Sequence, residues 1–380
     1  MFKYYIKVII RNILKIFWIL PIEKNKIYFQ SFGGQAMNCN PWYIFKYMHE
    51  KYPNYKYVWL LNNEPKEKIK DVIYVKKNTL KWVKEILTSK ILINNHTFNA
   101  YFPYRKKQVL IQTWHGGGAY KKVNLTWKSE KNVINTKKTF IYAGFVTTYY
   151  LSSCEYFSNL TSIDTFVDYK KFLPIGMPRN DIFFDASNIH LANTKVRQKY
   201  NISDKSLVVL YAPTYRGYWS TGCLNTVPDL YKIKKAFGEK YNKNVKILFR
   251  GHSCIKNINN EMLDFDENVS SYPDMQELLC ASDVMITDYS SSMWDYSFLY
   301  RPCFLFTPDL QEYIDDRGFY TDPYSWGFPI CQTNEELVDS IKKFDENIYV
   351  TAIKKHHDNL GSFEKGTATV KIVNCINQLV

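Results

Sequence analysis

Short hydrophobic runs alternate with amphipathic stretches along most of the chain. KIYFQSF (residues 26–32) reads as a strand ending at Gly33-Gly34, PWYIFKYMHEK (41–51) as a helix opened by Pro41, and YKYVWLLN (55–62) as a strand. DVIYVKK (71–77) is a further strand, TLKWVKEILTSK (79–90) a helix, and ILINN (91–95) and QVLIQTWH (108–115) strands again. The second half repeats the style. SLVVLYAPT (206–214), VKILFRGH (245–252), DVMITDYS (283–290) and PCFLFT (302–307) read as strands, with helices at 227–241 and 275–282. This βαβ alternation predicts parallel sheets with helices on both faces. The stretch 171–205 reads as a junction. The expected architecture is α/β, with two doubly wound domains facing a central cleft and ligands at the carboxyl ends of strands.

The N-terminus has a different pattern. Lys3, Lys7, Arg11 and Lys15 recur every four residues, so on a helix they drift only about 40° per step and form one stripe. Tyr4, Ile6, Ile9, Ile10, Ile13, Leu14, Phe17 and Trp18 fill the rest. The longest uncharged run, Ile16 to Ile22, falls short of the roughly 20 apolar residues of a membrane span. No small-residue cleavage site follows it, which argues against a signal peptide. Residues 1–22 therefore read as an amphipathic helix lying on an anionic membrane surface. The alternative is a helix packed on its own domain.

Composition supports a globular chain. Of 380 residues, 46% are hydrophobic and 17% aromatic, enough apolar surface for two domains. The net charge of +14 is unevenly divided: residues 1–200 carry 32 basic and 12 acidic side chains, and residues 201–380 carry 18 and 24. The halves thus face different electrostatic tasks. The eight cysteines are scattered without CxxC or zinc-type spacing, so buried free thiols in a reducing cytoplasm are expected.

Four segments carry candidate chemistry, the first three at the end of a hydrophobic run. Gln112-Thr113-Trp114-His115-Gly116-Gly117-Gly118 offers a histidine that can take a proton from a hydroxyl and glycines that let backbone amides approach a ligand. Lys121 and Lys122 follow and could contact an acceptor or another anion, or simply open a solvated helix. Arg250-Gly251-His252-Ser253 suits a phosphoryl group. Ser290, Ser291 and Ser292 follow the run 283–289 and precede Asp295; hydroxyls and N–H groups at a helix start suit a diphosphate. The stretch from Asp309 to Tyr320, with Arg317, is weak by itself. The loops with Arg179 (Gly176–Asp181) and Arg216 (Tyr211–Arg216) each bring an arginine toward the same region. Walker A, GxGxxG, GxSxG and HExxH patterns are absent from the sequence, which disfavours a P-loop kinase, a dehydrogenase or a zinc hydrolase.

Together these segments resemble the CDP-glycerol glycerophosphotransferase family of teichoic acid primases and polymerases. QTWHGGGAYKK is similar to the family's QTWHGTPLKK, GMPRND to GYPRND, YAPTYR to YAPTWR and FRGHS to its RxHP segment. ASDVMITDYSSSMWDY resembles SDVLITDYSSVMFDY, and DLQEYIDDRGFY resembles DLEEYRDERGFY. The matches run in family order from about residue 26 to 370. The resemblance implies a GT-B-like fold of two Rossmann-like domains, with an acceptor-side domain at 23–190 and a donor domain at 191–380. With the basic N-terminal helix and the scattered cysteines, a peripheral protein on the cytoplasmic face of the membrane is expected.

Carried over by position, His115 is the candidate general base and His252 a second catalytic histidine at the donor's pyrophosphate. Arg250, Ser290, Ser291, Ser292, Asp295, Arg317, Arg216, Gly116 and Gly117 form the donor and phosphate set, and Lys121, Lys122 and Arg179 the acceptor or anion contacts. The family's Thr-Pro is Gly117-Gly118 here, which is expected to loosen the loop, and the Pro after the second histidine is Ser253.

The implied donor is CDP-glycerol or a related CDP-alditol. The implied acceptor is a prenyl-diphosphate-linked or polymeric glycan of the cell wall or capsule. No resident metal is expected, and a supporting Mg²⁺ stays open. A ribitol-phosphate transferase, a GT-B nucleotide-sugar glycosyltransferase and a noncatalytic glycopolymer-binding protein remain alternatives. Nucleic-acid binding is not expected, since no RNP, KH or helix-turn-helix pattern accompanies the basic charge.

Overall fold

The structure, a computed structural model, describes residues 2–65, 67–123, 126, 133–216, 224, 227–251 and 264–379. His252 and Ser253 lie outside the described residues. Among the described residues two sheets form, both wholly parallel. The first contains β1 (Glu23–Gln30), β2 (Lys56–Leu60), β3 (Val72–Val75), β4 (Ser89–Asn94), β5 (Val109–Gln112), β6 (Tyr149–Leu151) and β7 (Phe172–Leu173). Its order is β3-β2-β1-β4-β5-β6-β7. The second contains β8 (Leu207–Tyr211), β9 (Val245–Phe249), β10 (Glu267–Asn268), β11 (Val284–Thr287), β12 (Cys303–Phe306) and β13 (Ile330–Cys331), in the order β10-β9-β8-β11-β12-β13.

Each sheet reverses direction once, between β1 and β4 and between β8 and β11. These are the topological switch points of Rossmann-like sheets, outside whose carboxyl ends ligands bind. The central strands explain why the hydrophobic runs are unbroken: β8, β11 and β12 are buried at every position, as helices on both faces require. Tyr28, Val58, Trp82, Leu92 and Phe102 anchor the first core. Val209, Phe237, Ile247, Ile286 and Phe304 anchor the second. Six described cysteines are free thiols, five of them buried, in line with their scattered spacing.

The chain forms two compact units. One comprises Met1–Gly117, Val123–Asp181 and Gly361–Val380; the other comprises Gly118–Lys122 and Ile182–Leu360. The sequence reading placed the division at 190/191 and gave the C-terminus to the second domain. Side-chain chemistry explains the difference. The Asp181 carboxylate accepts from the backbone N–H groups of Ala368 and Thr369 at 3.0 and 2.7 Å, at the start of the helix Ala368–Gln378. Glu364 accepts from Met177 N and Asn180 Nδ2, both at 3.0 Å. The last helix is thereby tied into the first unit.

The N-terminal helix spans Phe2–Leu14 and continues as a 3₁₀ turn over Lys15–Ile19. It does pack on its own unit. Lys7 Nζ donates to Thr139 Oγ1, Arg11 lies over the Tyr142 ring at 4.2 Å, and Trp18 Nε1 donates to Pro103 O at 2.8 Å. Two members of the basic stripe are therefore turned toward protein. The exposed face is apolar instead: Ile9, Ile13, Ile16 and Ile19 are 59–88% exposed. No described helix is long and apolar enough to cross a membrane.

Candidate active site

In the first unit, three strand ends converge. β4 runs into Asn95-His96, β5 into Thr113-Trp114-His115, and β1 into Ser31-Phe32. The His115 ring places Nδ1 2.8 Å from the carbonyl oxygen of Asn95. A carbonyl only accepts, so Nδ1 carries the proton and Nε2 holds the lone pair in the neutral ring. His96 stacks on His115 at 4.7 Å with an interplanar angle of 17°, and Phe32 sets its edge against both rings. Burial lowers the His96 pKa and so favours its neutral form. Trp114, just before the histidine, has φ 54°, a left-handed conformation that a bulky residue adopts only when its surroundings enforce it.

Arg179 supplies part of that enforcement. It is buried, its Nη1 donates to the His115 carbonyl at 2.7 Å, and it contacts Cys39 Sγ. Asn40 completes the support: its amide donates to the carbonyls of Thr113 and Trp114, and its Oδ1 accepts from Arg179 N. Arg179 was expected to contact an acceptor. Its guanidinium instead holds the backbone that carries His115.

In the second unit, the loop after β8 meets the loop after β11. Asp288 accepts from Thr214 N, Thr214 Oγ1 and Arg216 Nη1 at 3.0, 2.9 and 2.8 Å. Asp309 accepts from Arg216 Nε and Nη2 and from the Tyr289 hydroxyl. Arg216 also lies over the Tyr289 and Tyr313 rings. Burial works against its charge, but Asp309 and Asp288 outweigh burial and raise its pKa. The fork thus bridges two carboxylates and braces the two loops, a position in which the sequence reading expected a phosphate contact. Among the described residues no cluster of three or more His, Cys, Asp or Glu side chains is placed to hold a metal. Tyr211, Thr214, Arg216, Asp288, Phe306 and Pro308 line a concavity at the ends of β8, β11 and β12.

The serine run lies beside this brace. Ser290 Oγ accepts from Ser292 N and Ser292 Oγ at 3.3 and 2.8 Å. The helix that follows, Ser292–Ser297, has six residues, too few for the helix-terminus argument made from sequence, so what the segment offers is its hydroxyls. Asp295 is buried and accepts from Gln276 Nε2 at 3.0 Å. Arg250 donates to the carbonyl of Tyr272 at 2.8 Å, and Gly251 N to Ser270 Oγ. These bonds fix the loop that leads to residue 252.

The segment after the glycines belongs to this unit. Lys122 N donates to Gly318 O at 3.0 Å, Tyr320 N to Tyr120 O at 2.8 Å, and Lys121 bridges Phe319 in antiparallel fashion. Arg317 Nε donates to Lys122 O. Lys121, Lys122 and Arg317, assigned to two sites from sequence, are neighbours. Gly118 has φ 63°, and a Cβ there would sit 2.6 Å from the Tyr120 ring. The glycines were expected to loosen the loop; Gly118 is instead tightly packed. Proline, locked near φ −65°, could not take this path.

Sequence reasoning missed His96 and Asn95 beside His115, and Asn40 beneath it. A hydrophobic strand ending in Asn-Asn-His was the available signal for the first two. Nothing in the local sequence marked Asn40.

Comparison with known proteins assigns the chain to a family. The profile of the CDP-Glycerol:Poly(glycerophosphate) glycerophosphotransferase family matches residues 12–378. The chain is 29% identical to a teichoic acid poly(glycerol phosphate) polymerase of Bacillus spizizenii, over 95% of this chain and 94% of the relative. It is 28% identical to the enzyme of that name in Bacillus subtilis over 94% of this chain, but it spans only 49% of that longer relative. The solved structure of the wall teichoic acid polymerase TagF superposes with a TM-score of 0.84 at 27% identity, covering 99% of this chain and 96% of that one. The chain belongs to the CDP-glycerol:poly(glycerophosphate) glycerophosphotransferase family, with its GT-B-like fold, and is a transferase of phosphate-containing groups.

Proposed function

We propose that the protein transfers glycerol phosphate from CDP-glycerol, or the corresponding alditol phosphate from a related CDP-alditol, to a hydroxyl of a growing cell-wall or capsular polymer or its prenyl-diphosphate-linked precursor, releasing CMP. The observation that carries this reading is the His115–Asn95 hydrogen bond. In the neutral ring it leaves the proton on Nδ1 and the lone pair on Nε2. In the reaction the acceptor oxygen attacks the β-phosphorus, its proton passes to His115 Nε2, and the bond to CMP breaks as the new phosphodiester forms. Phosphoryl transfer depends mainly on positioning and charge stabilisation. Arg250, His252, Ser290, Ser291, Ser292 and Arg317 are assigned to the donor's diphosphate, and the Gly116 and Gly117 amides to an anionic oxygen near the base. Arg216, Arg179 and Asp295 support these groups from behind.

Single-turnover CMP release tests the reading. CDP-glycerol, CDP-ribitol and UDP-sugars are supplied in turn with a polymeric acceptor. CMP release with a CDP-alditol is expected, and UDP release would replace the reading with glycosyl transfer. General bases contribute roughly 10²–10⁴-fold, so His115→Ala retaining more than about a tenth of the wild-type rate would remove His115 from that role.

The same proposal places the protein on the cytoplasmic face of the membrane, with the exposed isoleucines of the N-terminal helix in the lipid interface. Flotation with anionic liposomes, with and without residues 1–22, tests it. Equal recovery of both proteins would sink the helix's role.

A further inference from the structure

Lys121 follows His115 by six positions, yet its packing partners belong to the second unit. The segment Gly118–Lys122 pairs with residues 318–320 as a short antiparallel ribbon, and the Tyr120 hydroxyl lies 2.9 Å from His356 Nε2. The Tyr120 ring also packs edge-on against Trp326 at 4.7 Å. Tyr120 therefore anchors the ribbon to the second unit.

This anchoring brings cations together. Arg317 and Arg216 both act on Lys121 by repulsion, and Asp288, at the end of β11, acts by attraction. The Arg216 charge is matched by Asp288 and Asp309 at 2.8 and 2.5 Å. Among the described residues no carboxylate lies within ion-pair distance of the Lys121 ammonium. A half-buried ammonium beside two guanidinium groups, with no carboxylate of its own, is a costly arrangement in an empty protein. It becomes favourable when an anion enters. The position, outside the β8/β11 switch point, is where a nucleotide's phosphates bind in such sheets.

We propose that Lys121 and Arg317 form a two-cation clamp on the second unit for the diphosphate of the nucleotide donor, so that the segment after the His115 glycines serves the donor and not the acceptor. This rests on the reading of the protein as a CDP-alditol transferase. Burial and the neighbouring Arg317 lower the Lys121 pKa to about 7, so above that pH the side chain must take up a proton as the diphosphate docks. The charged groups acting on it are Arg317 on the ribbon, Arg216 after β8 and Asp288 after β11, with Asp309 behind Arg216.

Titration calorimetry of the full chain with CDP at pH 8, in two buffers of different ionisation enthalpy, tests the clamp. Wild type is expected to take up close to one proton per CDP. Lys121→Met is expected to weaken CDP binding at least tenfold while leaving cytidine binding unchanged. Lys121→Arg is expected to recover the affinity without proton uptake, because guanidinium stays charged. Thermal melting confirms that each variant is folded. Wild-type affinity for CDP in Lys121→Met, or equal loss of CDP and cytidine, overturns the clamp. Tighter binding of poly(glycerol phosphate) than of CDP, abolished by Lys121→Met, would return the residue to the acceptor. If wild type binds neither CDP nor CDP-glycerol, the clamp and the transferase reading fail together; if it binds both and Lys121→Met does too, only the clamp fails.

Discussion

The Arg179 guanidinium donates to the backbone carbonyl of His115 at 2.7 Å from a buried position. A charged side chain is thus used to hold a peptide group, and through it the angle at which the imidazole leaves the strand end. Arg179→Met removes a charge-assisted bond of about 1.5–3 kcal/mol. The expected result is a comparable loss in unfolding free energy by urea titration. CMP release should fall about 10²-fold with little change in donor KM, since small displacements of a catalytic group have effects of that size.

Arg216 is expected to behave differently. Arg216→Lys keeps the charge but cannot bridge Asp288 and Asp309 through three nitrogens, and it leaves a buried carboxylate poorly matched. Breaking one side of such a pair destabilises by about 3–5 kcal/mol. A large drop in melting temperature with a raised donor KM is expected. An intact melting temperature with only a raised KM would instead make Arg216 a direct phosphate ligand.

The paired histidines of the second unit set an acid limit. His356 meets the Tyr120 hydroxyl and His357 meets Ser297 Oγ at 2.7 Å. Burial lowers their pKa values to about 3 and about 4. In the unfolded chain both protonate near pH 6.5. Between those limits the unfolded state binds more protons, so stability falls as pH drops from about 6.5 toward 4. Melting temperatures across that range should decline steeply. His357→Gln, which can still accept from Ser297, should flatten the decline and lower stability less at pH 5 than at pH 7.5.

Gly118 provides a conformational test. Gly118→Ala asks an L-residue to hold φ near 63° with its Cβ 2.6 Å from the Tyr120 ring. A destabilisation of at least about 1 kcal/mol is expected. Gly118→Pro, the residue of the family motif, should be worse here, because its ring excludes positive φ. Calorimetric melting of both variants ranks them, and a proline variant as stable as wild type would contradict the described loop.

Much of this fold was legible because buried parallel strands are continuous hydrophobic runs, and the residue that ends each run stands at a carboxyl edge. His115, Asp288 and Ser290 could be picked out in that way. What the pattern does not carry is the direction a long side chain takes after the edge. Arg179 and Arg216 each follow a hydrophobic run, yet the first turns into the core and the second between two aspartates, while Arg317, beyond the helix Leu310–Asp316, runs along a ribbon. Likewise Asp181 and Asp295 look like surface acids in one dimension. Their partners, Ala368 and Thr369 for one and Gln276 for the other, come from distant segments.

The tie between Asp181 and the helix Ala368–Gln378 has a consequence for biosynthesis. The second unit is inserted into the first, and the first is not closed until residues 361–380 have been made. During translation the seven-stranded sheet must wait, without its last helix, while the inserted unit is completed. The order of emergence is therefore the reverse of the order of completion: the unit that starts first finishes last, and a chain ending at residue 360 would carry a finished second unit on an unfinished first.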